Sequence, residues 1–286
     1  LIPLVMTAGF LVITGMRPKS ISTISVACLL SSVLLATWPY RFQTLTGMET
    51  TLGILLLLIF LITLHRWVEA PNSFQSVLLA VLGILTFSTR PESLLILFLL
   101  SGFASLRIIY RKKGYFPVAV LFSAGGLLLL IDACVKLALF DSILPLSYYV
   151  KKQSYYANYT DRYLWNPVVL LSRFVAASFP FLVAGVLFAT RRTLVQSFPL
   201  FVTTIAFIVY LFTTLQLMGQ EGRLYFPVLP LIVFISFFAL KHRFACSSVR
   251  PRYLAQRLIF LIGVFVLLHP VSPVASKIGH MYEDLI

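Results

Sequence analysis

The feature that most constrains this chain is a succession of long apolar runs, with nearly all of the charge confined to short segments between them. An apolar run of roughly 17–25 residues matches the hydrocarbon thickness of a bilayer when wound as a helix. By that measure about ten spans follow one another. They lie near Leu1–Met16, Ile21–Thr37, Thr51–Leu64, Phe74–Ser88, Ser93–Ile109, Phe116–Phe140, Pro167–Thr190, Phe198–Met218, Phe226–Leu240 and Leu258–Val271. The runs lack the two-residue alternation of barrel strands, and backbone in hydrocarbon must satisfy its polar groups within its own segment, as a helix does. The expected fold class is therefore all-α, a polytopic membrane protein with short extracytoplasmic loops and one longer one. A chain that is 59% hydrophobic and 11% charged is far from a soluble domain. Residues 1–286 read as a single transmembrane helical domain.

The formal net charge of +14 raises the question of nucleic acid. The basic residues, however, sit in small clusters between apolar runs, which is the pattern of topology-setting loops; no nucleic-acid partner is expected. Alternate loops differ in charge. One set carries Arg17, Lys19, Arg66, Arg107, Arg111, Lys112, Lys113, Arg191, Arg192, Lys241, Arg243, Arg250, Arg252 and Arg257. The other carries half as many: Arg41, Arg90, Lys151, Lys152, Arg162, Arg223 and Lys277. The richer set is expected in the cytoplasm. Most acids, including Glu49, Glu92, Asp141, Asp161 and Glu221, fall on the opposite side, with Glu69 the exception.

The cytoplasmic clusters read as anchors against anionic lipid. The outer segments are richer. Gly47-Met48-Glu49-Thr50 precedes a span, where a carboxylate either caps a helix start or holds a sugar hydroxyl. Thr89-Arg90-Pro91-Glu92-Ser93 is a tight turn between spans, with Pro91 starting the next helix. Its charges either cap a hairpin or, through the planar fork of Arg90, receive a phosphate. The longest outer loop, Asp141 to Trp165, sets Tyr148, Tyr149, Tyr155, Tyr156, Tyr159 and Tyr163 among Lys151 and Lys152. That mixture suits sugar faces, and equally a helix lying on the membrane surface. Gly219-Gln220-Glu221-Gly222-Arg223 joins two further runs. Within a span, Asp132 and Lys136 stand four apart on one helical face, as an ion pair or a proton relay.

There is no Gly-rich phosphate loop, nucleotide fingerprint or His/Cys metal cluster in the sequence. The cysteines, Cys28, Cys134 and Cys246, are isolated. Chemistry fuelled by a cytoplasmic nucleotide is not expected. Chemistry on a lipid-delivered substrate at the outer face is.

Four outer motifs, in order, carry a resemblance. They are Thr46-Gly47-Met48-Glu49-Thr50, Thr89-Arg90-Pro91-Glu92, Leu144-Pro145-Leu146-Ser147-Tyr148-Tyr149-Val150-Lys151 and Gly222-Arg223-Leu224-Tyr225-Phe226-Pro227. Together they resemble the bacterial GT-C type glycosyltransferases that use polyprenyl-phosphate sugars, especially the arabinofuranosyltransferase-like branch. That branch reads G-L-E-T, R-P-[DE], P-N-[ST]-x-Y-x-K and G-R-[FL]-x-x-P. Leu146 departs from it, standing where the family has Asn.

The resemblance implies a multi-pass enzyme of the bacterial cytoplasmic membrane with its active face outside. Its partners would be a polyprenyl-phosphate sugar donor, membrane lipids, and a hydroxyl acceptor on a glycan, lipid or protein. Arg90, Lys151, Lys152 and Arg223 would bind the donor phosphate; Glu49, Glu92, Tyr148, Tyr149 and Glu221 would position substrate. The family's catalytic acid lies in its first outer loop, which by topology precedes Leu1, so no catalytic residue is expected in the sequence at hand. Many relatives carry a C-terminal periplasmic domain, and none is recognised here. The resemblance names no definite cofactor, and a divalent ion bridging the lipid phosphate to carboxylates is compatible with the scheme. The rival reading is a transporter or flippase for a lipid-linked saccharide, which needs the same cationic outer face but no acid.

Overall fold

In a computed structural model, the described residues are 49–141, 191–212, 225, 227–246 and a set of helical positions between 171 and 186. Among them the structure is built of helices: α1 (Glu49–Glu69), α2 (Ser73–Thr89), α3 (Leu94–Tyr110), α4 (Phe116–Phe140), α5 (Arg191–Phe212) and α6 (Leu229–Cys246). Among the described residues, four stretches are long and apolar enough to cross a membrane, Leu52–Glu69, Pro91–Tyr110, Phe116–Phe140 and Thr193–Phe212, and Ser73–Thr89 is a shorter apolar helix. The expected spans Leu1–Met16, Ile21–Thr37 and Leu258–Val271 lie outside the described residues.

Several hydroxyls buried in these apolar helices are satisfied by their own turns, while Ser105 Oγ and Thr203 Oγ1 have no hydrogen-bond partner among the described residues. Thr63, Thr86, Ser197 and Thr204 each donate to the carbonyl four residues back, at 2.6–2.8 Å. This bonding lets a polar side chain sit in an apolar layer without an orphaned group.

The central helix is α1, with 56% of its spanning window buried, against 11% for α4. Its Leu57, Leu58, Phe60, Leu61 and Trp67 form the middle of the core. α2 packs between α1 and α4, and α5 packs against α6 and α3. Among the described residues the principal contact of α4 is with α2, and Phe122, Leu127, Leu130 and Ile131 are left exposed on it. A helix this apolar on its outward faces is suited to lipid contact. The pair expected within it is present: Lys136 Nζ lies 2.5 Å from Asp132 Oδ2 and 4.9 Å from the centre of the Phe87 ring.

Helix boundaries follow capping chemistry at some ends and overrun it at others. Asn72 accepts the Gln75 N–H at 2.8 Å and starts α2 as a side-chain cap. The turn from α3 to α4 passes through Gly114 at φ +107°, a conformation that an L side chain resists. Three expected ends move. α1 continues past Leu64 through His65, Arg66 and Glu69; α5 begins at Arg191, seven residues before Phe198; α6 runs on past Leu240 to Cys246. The basic residues assigned to loops there are instead on helices. Arg and Lys are good helix formers, so the backbone continues where the apolar pattern stops.

Phe238, midway along α6, has its ring 6.1 Å from that of His65, late in α1. α2 gives way to α3 at the end of the bundle where α1 starts, because Arg90 packs on Gly53 in the first turns of α1.

Candidate functional site

The end of the bundle shared by these helix starts is organised by Arg90. α2 stops at Thr89, and Arg90, at φ −143° and ψ 89°, leaves the helix while its N–H still donates to the Thr86 carbonyl at 2.9 Å. Pro91 opens a single 3-10 turn over Pro91–Ser93, where its missing N–H costs nothing. The Arg90 carbonyl accepts from the Ser93 N–H at 2.9 Å and the Ser93 hydroxyl at 2.6 Å. The turn is thus closed by its own residues, and α3 follows directly.

The side chains differ from the expected arrangement in one respect. The sequence puts the two charges close to the membrane surface; the structure buries Arg90, which is 4% exposed. Among the described residues it is the only buried side chain that carries a charge. Its Nη1 donates to Glu92 Oε1 at 2.7 Å, and the Glu92 side chain is itself mostly covered. The burial has an identifiable cause. Gly53 has no side chain, and a Cβ there would stand 3.0 Å from Arg90 Cγ and 3.3 Å from Thr89 Oγ1. The glycine lets the aliphatic stem of Arg90 lie against α1.

Glu49 begins α1 a turn before Gly53, so the first two motifs meet at this end. Part of the fourth is also described: Tyr225, 0% exposed, stacks on Phe174 with ring centres 5.7 Å apart, and Pro227 and Val228 are buried just before α6 begins. Phe87, three residues before Arg90, puts the Asp132–Lys136 pair toward the same end. Tyr148, Tyr149, Lys151, Lys152, Glu221 and Arg223 lie outside the described residues.

Two carboxylate–cation pairs therefore occupy one end. Arg90 and Lys136 are cations able to receive an anionic group, each already balanced by an acid. No group of three or more His, Cys, Asp or Glu among the described residues is arranged to hold a metal ion, and no chemistry is routed through one.

The opposite end has a different character. Trp67 Nε1 donates to Ser76 Oγ at 2.9 Å, and that hydroxyl lies 2.8 Å from the Pro117 carbonyl and 3.0 Å from that of Asn72. Lys113 Nζ donates to the Val68 and Glu69 carbonyls at the end of α1, where free carbonyls and the helix dipole favour a cation. Beside this network is a cavity of about 610 Å³ lined by His65, Arg66, Glu69, Gln75, Arg107 and Gln196 among apolar side chains. Sequence reading treated these basic residues as anchors. The missed signal is spacing: Leu61, Leu64, His65, Val68 and Glu69 on α1, and Leu100, Phe103, Ala104 and Arg107 on α3, each fall on one helical face.

The chain matches no protein-family model, and neither a curated protein nor a solved structure is significantly similar to it.

Proposed function

We propose that the protein is a membrane glycosyltransferase that moves a sugar from a polyprenyl-phosphate donor to a hydroxyl acceptor at the Arg90 end of the bundle. The observation that carries this reading is the buried Arg90–Glu92 pair. Its carboxylate partner stands two residues away in the same turn, and the guanidinium is buried, where an uncompensated charge is expensive. A buried guanidinium oriented by a neighbouring carboxylate is suited to receiving a phosphate oxygen pair. The four ordered motifs give the second support, and the first two of them meet at this end.

In this reading the acceptor oxygen attacks the anomeric carbon, the bond from that carbon to the phosphate oxygen breaks, and the lipid phosphate leaves. The acceptor proton passes to a carboxylate on the outer face, as the family resemblance implies. Negative charge grows on the departing phosphate and is met by fixed cations, with Arg90 and Arg223 in that role. Glu92 holds the Arg90 fork in one orientation.

The test is transfer from a labelled polyprenyl-phosphate sugar in vesicles containing the full protein. Arg223→Ala and Arg90→Lys are each expected to lower transfer by about 100-fold, the scale for losing one oriented donor to a developing anion. Wild-type turnover in both variants removes the clamp. Movement of an intact lipid-linked saccharide between leaflets, with no sugar joined to an acceptor, would establish the transporter instead.

A further inference from the structure

The cavity at the Trp67 end is within the size range of small-molecule sites and lies far along α1 from Arg90. Two guanidinium groups line it, from Arg66 near the end of α1 and Arg107 near the end of α3. Both side chains are exposed, and neither is in an ion pair among the described residues. The cavity also has acceptors. Glu69 contributes a carboxylate, and Gln75 Oε1 is a buried oxygen with no hydrogen-bond partner. A buried acceptor left without a donor is unfavourable, so a ligand that supplies one is favoured. The remaining wall is apolar, with Leu61, Leu100, Phe103, Leu200 and Phe238 from four different helices.

The occupant must therefore combine an anion for the arginines, a hydrogen-bond donor for Glu69 and Gln75, and an apolar tail. Three of the four helices that supply the apolar wall, α1, α3 and α5, are long and apolar enough to cross a membrane, and Arg66, Glu69 and Arg107 are near helix ends. That is the depth profile of a phospholipid. From this we infer that the cavity binds a phospholipid of the phosphatidylethanolamine type. Its phosphodiester sits on Arg66 and Arg107, its ammonium on Glu69 and Gln75, and an acyl chain lies along Phe103 and Leu200. The site is at the other end of the bundle from the proposed transfer centre and does not depend on that reading.

The full chain, stripped of lipid in detergent, is titrated with phosphatidylethanolamine, phosphatidylcholine and soluble glycerophosphoethanolamine, with bound lipid counted by native mass spectrometry. Phosphatidylethanolamine is expected to bind at least tenfold more tightly than phosphatidylcholine, whose quaternary nitrogen has no N–H. Arg66→Gln and Arg107→Gln are each expected to weaken binding about tenfold, as loss of one charge-assisted hydrogen bond does. Glu69→Gln should erase the preference for phosphatidylethanolamine while phosphatidylcholine binds as before. Melting temperatures without lipid, unchanged in all three variants, show that folding is intact. Equal binding of the two lipids, unchanged affinity in the double arginine variant, or glycerophosphoethanolamine binding as tightly as the lipid would each overturn the inference.

Discussion

The two ends of the bundle bury polar groups in opposite ways. At the Trp67 end the groups are neutral and long-range: Trp67, Ser76 and the Pro117 carbonyl join α1, α2 and α4 through one hydroxyl. At the Arg90 end the groups are charged and local, two residues apart in one turn. Neutral hydrogen-bonded groups are far cheaper to bury than ions, so the first arrangement suits holding helices together. The second buries a charge whose carboxylate partner lies in the same turn. The comparison teaches that burial alone does not distinguish a structural residue from a functional one.

Substitutions can break or sharpen this contrast. The largest effect is expected from Trp67→Ala, which empties a fully buried indole site and strips Ser76 of its donor; about 4 kcal/mol should be lost, read from denaturation in detergent. Close behind is Glu92→Gln, which leaves the Arg90 charge buried without its carboxylate; a loss of about 3 kcal/mol is expected. Here the double variant Arg90→Met, Glu92→Gln should recover most of that stability. A double variant as unstable as the single one would show that the pair is structural after all.

Ser76→Ala should cost about 2 kcal/mol, because it orphans Trp67 Nε1 in a buried site. Gly53→Ala should cost about 1 kcal/mol by pressing on the Arg90 stem, with transfer activity falling further than stability does. An activity equal to wild type would separate the Arg90 position from function. The smallest effect belongs to Leu130→Ala on the exposed face of α4, within about 0.5 kcal/mol of zero.

Much of the fold was legible in the sequence because apolar length is a local property. Phe116–Phe140 is the helix that its composition marks, bounded by Gly114 on one side and Asp141 in a left-handed turn on the other. The Arg90 turn was legible as well, since Pro91 and the flanking hydroxyls specify it within five residues. Helix overruns at Glu69, Arg191 and Cys246 were not, because hydropathy marks where hydrocarbon ends and a helix need not end there. Nor was the cavity, whose walls come from residues as distant as Leu61 and Phe238.

By itself, the sequence determined that the described chain is helical and apolar and that its charge falls at span ends, since composition and period decide these within each segment. Only tertiary structure decided that Arg90 is buried, because that depends on an absent Cβ at Gly53, 37 positions away. Only tertiary structure turned Arg66 and Arg107 from two separate anchors into the rim of one cavity. Helix direction and packing choose which span ends become neighbours, and no single span carries that information.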